Sequence, residues 1–136
     1  MTQEQKDLLL KDLCGRLPHG VKCQVQEDEF TYIGTLCRLE VDSKNGNLLD
    51  FAESMSGLDC QVYLSEVKPY LFPLTSMSDE QKVIYGDLCY AIIHSLAWDT
   101  QAALNELVDW LNENHFDYNN LIPMGLAIDA TGLNIY

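Results

Sequence analysis

Basic residues are scarce in this sequence, and none follows Lys82. Eight lysines and arginines stand against 21 aspartates and glutamates, which gives a formal net charge of −13. Phosphate backbones and anionic membranes repel a surface of this sign. We therefore expect no direct nucleic-acid binding and no membrane attachment, and we expect that any partner is a basic protein.

A long apolar run and a signal peptide are also missing. No apolar stretch approaches the roughly 18 residues that a membrane span requires, and the charged start MTQEQKDLLLKDLC has no apolar signal core. The five cysteines contain no CxxC pair, and four of them fall at apolar positions of helix or strand patterns: Cys14, Cys23, Cys37 and Cys60. These features predict free, buried thiols in a reducing compartment, and hence a cytoplasmic protein.

Motifs of familiar chemistry are absent from the chain. It contains no HExxH, no GxSxG, no phosphate-binding glycine loop and no zinc-ligand spacing. Its three histidines, His19, His94 and His115, are far apart in sequence. The sequence therefore predicts no cofactor and a non-enzymatic protein. An enzyme or small-ligand binder with an unrecognised site stays open, and a deep pocket lined by Tyr70, Phe72 or Trp98 would favour it.

What the sequence does contain is the pattern of one domain covering residues 1–136. A helix is predicted over 2–17, where Thr2 and Gln5 have capping-box spacing. Strands are predicted at 21–26, 30–42, 48–51 and 60–64, with a hairpin turn at Asn45-Gly46. Two more helices begin at Ser78 and Asp99, and a short last strand contains Leu126 and Ile128.

Two local expectations accompany this pattern. Along the second strand, one face is expected to consist of Ile33, Thr35, Cys37, Leu39 and Val41. The segment from Ser65 to Met77 is expected to cross the domain in an extended form, because Pro69 and Pro73 disfavour a central strand. The resulting fold class is α+β, with an antiparallel sheet of three to four strands packed by an N-terminal helix and two C-terminal helices.

Carboxylates cluster near the end of the last predicted helix. Glu106, Asp109 and Glu113 share the helix, and Asp117 follows just beyond it. They are open to three interpretations: a solvated helix face, a Mg²⁺ or Ca²⁺ site, or a docking face for a basic partner. Helix carboxylates alone lack the loop geometry of a calcium site, so we predict no metal site here.

An apolar tail follows the carboxylates. The stretch LIPMGLAI, from Leu121 to Ile128, contains a proline and a glycine within an almost wholly apolar run. It can close the core, or it can expose Met124 and Leu126 beside Tyr70 and Phe72 as an apolar lip for a partner. Burial of Met124 and Leu126 decides between these interpretations.

Three stretches resemble a group of short proteins of uncharacterised function from gut Bacteroidetes and their phages or integrated elements. They read LLLKDLCGRLPHGVKC, VKPYLFPLTSMSDEQ and DWLNENHFDYNNLIPMGLAIDA, and together they touch both ends and the middle of the chain. The resemblance implies a cytoplasmic accessory protein of mobile-element origin and carries over no catalytic residue. The group often has charged residues where this chain has Pro123 and Met124, so this tail is more apolar.

From these features we predict a small, acidic, protein-binding or regulatory accessory protein. A protein of a different class, a nucleic-acid mimic that inhibits a DNA-binding host protein, would need carboxylates in rows at phosphate-like separation. Carboxylates dispersed over all faces would argue against mimicry.

Overall fold

Three α-helices form where the sequence predicts helix starts, in a computed structural model that describes residues 1–42, 46–52, 62–96 and 99–136. They are α1 (Gln3–Arg16), α2 (Asp79–Ile93) and α3 (Thr100–Glu113). Both predicted capping boxes are present: Thr2 and Ser78 each exchange two hydrogen bonds with the glutamine three residues later. Asp99 occupies the N-cap position of α3, but its side chain makes no capping hydrogen bond.

The described residues form one sheet of six strands. The strands are β1 (Lys22–Glu27), β2 (Phe30–Asp42), β3 (Gly46–Phe51), β4 (Val62–Tyr63), β5 (Val67–Leu71) and β6 (Ile128–Asp129). Their order is β4-β3-β2-β1-β5-β6, and every ladder is antiparallel except the parallel β5–β6 pair. The α+β class and the three helices are confirmed, whereas the sheet is larger than the predicted three to four strands and is mixed rather than antiparallel.

Strand β5 accounts for part of this difference. It lies inside the sheet between β1 and β6 and contains Pro69, although the sequence predicted an extended crossing segment there. The β5–β6 ladder begins at Tyr70, one residue after the proline, so the missing N–H does not interrupt it. The predicted last strand is confirmed as β6, whose Ile128 pairs with Tyr70.

A β-bulge in β2 reverses part of the predicted burial pattern. The β2–β3 register shifts between Leu36 and Arg38, so that the side chains on either side of this point no longer alternate simply. Gly34 and Leu36 are buried, whereas Ile33, Cys37 and Val41 are exposed. The predicted single apolar face of β2 is therefore wrong. The predicted Asn45-Gly46 turn involves Asn45, which lies outside the described residues.

The main core forms between α1 and one face of the sheet. Leu9 and Leu13 of α1 are fully buried and belong to one cluster with Val21, Cys23 and Val25. A smaller cluster of Met77, Leu111 and Phe116 anchors α3. Helix α2 does not cover the sheet as predicted, because it packs chiefly on α3 and none of its residues is fully buried.

A buried ion pair ties α1 to the segment after α3. The Arg16 Nε donates to Asp12 Oδ2 at 2.7 Å, and both side chains are fully shielded from solvent. The same guanidinium donates through Nη2 to the Phe116 carbonyl oxygen at 2.6 Å and lies 5.0 Å from the centre of the Tyr118 ring. Asn119 donates to the other Asp12 oxygen at 2.8 Å. This network satisfies most of the polar groups that it buries.

The cysteines follow the sequence prediction only in part. The four cysteines in the described ranges are free thiols, and Cys23 is buried, which raises the pKa of its thiol. Cys14 and Cys37 are exposed, contrary to the prediction. For Cys37 the reason is that it lies at the bulge of β2. Cys60 lies outside the described residues. In the part of the chain that the structure describes, no helix is long and apolar enough to cross a membrane.

Candidate functional site

Helices α2 and α3 form a hairpin whose apolar side chains are unusually exposed. Tyr85 of α2 faces Trp110 of α3, with 6.5 Å between ring centres. Away from this contact, the exposed fractions of Val83, Tyr90 and Ile93 reach 63%, 63% and 76%. A helix that packs against its own protein normally hides its apolar stripe, so α2 presents an apolar surface that the described residues leave uncovered.

The sequence contained a signal for this surface. The predicted apolar face of α2, Ile84, Leu88, Ile92 and Leu96, accounts for only one side of the helix. Val83, Gly86, Tyr90 and Ile93 recur at helical spacing on the opposite side. A helix with apolar side chains on two opposite sides can bury both only if it is covered on both, and α2 has no fully buried residue.

A groove of about 590 Å³ runs between the two helices. Its apolar lining comes from Ile84 and Leu88 of α2 and from Ala102 and Trp110 of α3. Its polar lining comes entirely from α3: Asn105, Glu106, Asp109 and Glu113. The groove therefore combines an apolar floor with a wall of three carboxylates.

Three of the four predicted acidic-face residues meet at this wall. Glu106, Asp109 and Glu113 are exposed and share one side of α3. No lysine or arginine within the described ranges forms an ion pair with Glu106, Asp109 or Glu113, so none of these cations neutralises the wall. No three His, Cys, Asp or Glu side chains within the described ranges could together hold a metal ion.

The fourth predicted residue, Asp117, does not belong to the acidic face. It is buried, and its two carboxylate oxygens accept hydrogen bonds from the Leu121 and Ile122 amides at 2.8 and 2.9 Å. Its role is to hold the turn that starts the tail. The interpretation of Asp117 as a partner-binding carboxylate is thus corrected by its burial.

The four residues of the expected apolar lip do not form one surface. Tyr70 and Leu126 are buried, Phe72 is half-buried, and only Met124 is exposed. Tyr70 lies in β5, and Leu126 packs into the main core just before β6. The tail therefore closes the core, and the apolar lip is corrected to a single exposed side chain, Met124.

A second concave region of about 310 Å³ lies near the start of α2 and the end of α3. Here residues 67–81 and 109–130 meet, since the Phe72 amide donates to the His115 carbonyl and the Asp117 amide to the Phe72 carbonyl, both at 2.8 Å. The crevice is lined by Phe72, Ser76, Gln81, Glu113, Asn114, His115, Phe116 and Tyr136. Phe72 is the one described member of the predicted ligand-pocket trio that lines it, and Trp98 lies outside the described residues.

The imidazole of His115 is the one titratable nitrogen base in this crevice. Its ring stacks on Tyr136 with 3.6 Å between ring centres, and its Nδ1 is buried without a hydrogen-bond partner among the described residues. Burial, together with the nearby Arg16, His19 and Lys22, lowers the pKa of His115 to about 4. A general base works best with a pKa near the operating pH, so this imidazole suits packing better than proton transfer.

The α2–α3 hairpin is therefore the candidate site: α2 has an outward apolar face, with Val83, Tyr90 and Ile93, and the groove on its other side combines apolar side chains with carboxylates. The crevice at His115 is smaller, and its aromatic residues are engaged with one another. Comparison with known proteins adds no family to this description: no protein-family model matches the chain, and no curated protein or solved structure shows significant similarity to it.

Proposed function

We propose that this protein is a non-enzymatic binding protein that covers a surface of a protein partner with its α2–α3 hairpin. The observation that carries the proposal is that α2, rich in large apolar residues, has no fully buried residue. Exposed apolar surface of this extent is a feature of protein interfaces. The partner would bury Val83, Tyr90 and Ile93, which the chain itself leaves in water.

The proposal includes a cellular setting. The resemblance to proteins of gut Bacteroidetes and their phages or integrated elements supports an accessory role in a mobile element. The free thiols of Cys14, Cys23, Cys37 and Cys89 support a reducing compartment, and hence the cytoplasm. The net charge of −13 supports a protein partner over nucleic acid.

Nucleic-acid mimicry receives less support from the same surface. Glu106, Asp109 and Glu113 do form a row along α3, as a mimic would require. The row borders a floor of apolar side chains, which has no counterpart in a phosphate backbone. A binding groove accounts for both the carboxylates and the apolar floor, and mimicry accounts for the carboxylates alone.

Site-specific photocrosslinking tests the proposed interface. A photoreactive phenylalanine analogue at Ile93 should form an adduct with a protein in extract of a gut Bacteroidetes species. The same analogue at Ser65, an exposed residue on the turn before β5, is the control position and should form none.

A second variant tests whether the apolar face makes the contact. Substituting V83S and Y90S in the Ile93 probe should abolish the adduct while leaving the melting temperature nearly unchanged, because both side chains are exposed. Equal adducts from the Ile93 and Ser65 probes, or no adduct from Ile93, would contradict the proposed function.

A further inference from the structure

We propose that the groove between α2 and α3 holds an amphipathic helix of a cationic partner, with its apolar side in the groove and its lysines or arginines along α3. This inference rests on the proposed function and extends it: one partner would cover the outward face of α2, with Val83, Tyr90 and Ile93, and would place a helix in the groove on the other side of α2. A helix that lies in a groove formed by two other helices is a recurring mode of protein recognition. The rest of the inference follows from the floor and the wall of the groove.

The floor is suited to large aliphatic side chains. Ile84 and Leu88 are one turn apart on α2 and face Ala102 and Trp110 across the groove. The small side chain of Ala102 leaves the groove open between these larger residues. An incoming helix would bury residues spaced three and four apart, which matches the spacing of the residues that line the groove.

The wall is suited to cations. Glu106, Asp109 and Glu113 are three and four residues apart, so neighbouring carboxylates repel each other when no cation is present. Lysines or arginines of a partner would remove this repulsion. The indole of Trp110 also lines the groove and offers an aromatic face on which a cation can be placed.

The same charges disfavour a second copy of this chain in the groove. The only basic residue of α2 is Lys82, and α3 has none, whereas the two helices contain Asp79, Glu80, Asp87, Glu106, Asp109 and Glu113. A second hairpin would bring like charges together at the contact. A cationic helix would instead match both the apolar floor and the acidic wall.

Binding of designed peptides tests this inference. The probe is an amphipathic helical peptide of about 18 residues, long enough to follow α2, with leucines on one side and lysines on the other. Two control peptides are compared with it: the same peptide with glutamates replacing the lysines, and a scrambled lysine peptide without an apolar side. We expect the lysine peptide alone to bind in calorimetry, with an affinity that falls as ionic strength rises.

Two sets of variants of the protein test whether the carboxylates of α3 and the apolar residues of the groove contact the peptide. E106Q/D109N/E113Q should weaken the lysine peptide about tenfold, as expected from the loss of three exposed ion pairs. E4Q/D28N/E29Q changes the net charge equally at exposed positions of α1 and the β1–β2 turn and should not weaken it. Likewise, I84S should weaken binding of the peptide, whereas V83S should not, because Val83 lies on the outward face of α2, which a single helix in the groove does not reach. Circular dichroism confirms that each variant is folded.

Several outcomes would overturn the inference. Equal binding of the lysine and glutamate peptides would show that the groove does not select cations. So would equal weakening by the two triple variants, each of which removes three negative charges. A dimer in light scattering that I84S disrupts would place a second copy in the groove. If no peptide binds but the Ile93 crosslink forms, the inference fails while the proposed function stands; if the crosslink is also absent, both fail.

Discussion

At the scale of single residues, His115 should make the free energy of unfolding depend on pH. Its imidazole is stacked on Tyr136 and remains neutral in the folded protein down to a pKa of about 4, against an ordinary value of 6.5. Between these two pH values the unfolded chain binds a proton that the folded chain excludes. The free energy of unfolding should therefore fall as the pH decreases from about 6.5 to about 4.

Denaturant unfolding at several pH values measures this effect. The expected contribution of His115 is about 1 to 2 kcal/mol, because solvent screens a group that is only partly buried. H115N is the control, since asparagine tolerates the left-handed backbone at this position, where φ is 61°. The difference in stability between wild type and H115N should change over this pH range, and a constant difference would show that His115 does not titrate there.

The role of Asp117 could not be predicted from its being a carboxylate close to others in the sequence. Its sequence position beside Glu113 made it one of four candidate carboxylates. Its role instead depends on the backbone of 121–122 turning back toward it, so that two amides reach its oxygens. Spacing along a helix predicts which side chains share a face, and it contains no information about a side chain beyond the last turn.

At the scale of elements, Gly86 gives a direct test of the exposed surface of α2. It lies in the middle of the helix, and an added Cβ would meet no atom within 4 Å. Alanine is a better helix former than glycine, so G86A should raise the free energy of unfolding by about 0.5 to 1 kcal/mol. Urea denaturation measures the change.

The matched control is a glycine in a crowded place. A Cβ on Gly34 would come within 3.0 Å of the Phe51 Cβ, so G34A should lower the stability by about 1 to 3 kcal/mol. Opposite signs for G86A and G34A are the expected result. A destabilised G86A would mean that the central turn of α2 is packed against the rest of the molecule and is not available to a partner.

Elements determined by local interactions could be predicted from the sequence. The capping boxes at Thr2 and Ser78 involve residues three positions apart, and both helices begin where they indicate. The pattern of β2 failed at the bulge between Leu36 and Arg38, because a register shift depends on the partner strand. The outward face of α2 is a different case, because its apolar stripe of Val83, Tyr90 and Ile93 is present in the sequence but was not part of the predicted face, which contained Ile84, Leu88, Ile92 and Leu96.

At the scale of the whole molecule, the Asp12–Arg16 pair of α1 is linked to the segment after α3 by hydrogen bonds to the Phe116 carbonyl and from the Asn119 side-chain amide. Because both side chains are fully buried, removing one leaves the other charged and unpaired. D12L and R16M should each lower the free energy of unfolding by about 3 to 5 kcal/mol. The double variant D12L/R16M should lose less than the sum of the two, since neither charge then remains. Losses that simply add would show that the two charges are not coupled.

The tertiary arrangement of the chain could be predicted only as far as its class. The α+β composition followed from the order of helix and strand patterns. The position of β5 inside the sheet could not be predicted, because its pairing with β6 joins Tyr70 to Ile128, and the whole of α2 and α3 lies between these residues in the sequence. The burial of Tyr70 and Leu126 depends on the same pairing, which is why the expected lip lies in the core.

The pairing of distant segments also sets the order in which this protein can fold. The Arg16–Phe116 hydrogen bond spans 100 residues, and the Tyr136 hydroxyl accepts from the Lys22 amide across 114. Contacts of this separation slow folding, whereas the α2–α3 hairpin is local and can form early. During synthesis on the ribosome, β5 can pair with β1 early, but its other edge stays without a partner strand until residues 128–129 emerge and form β6.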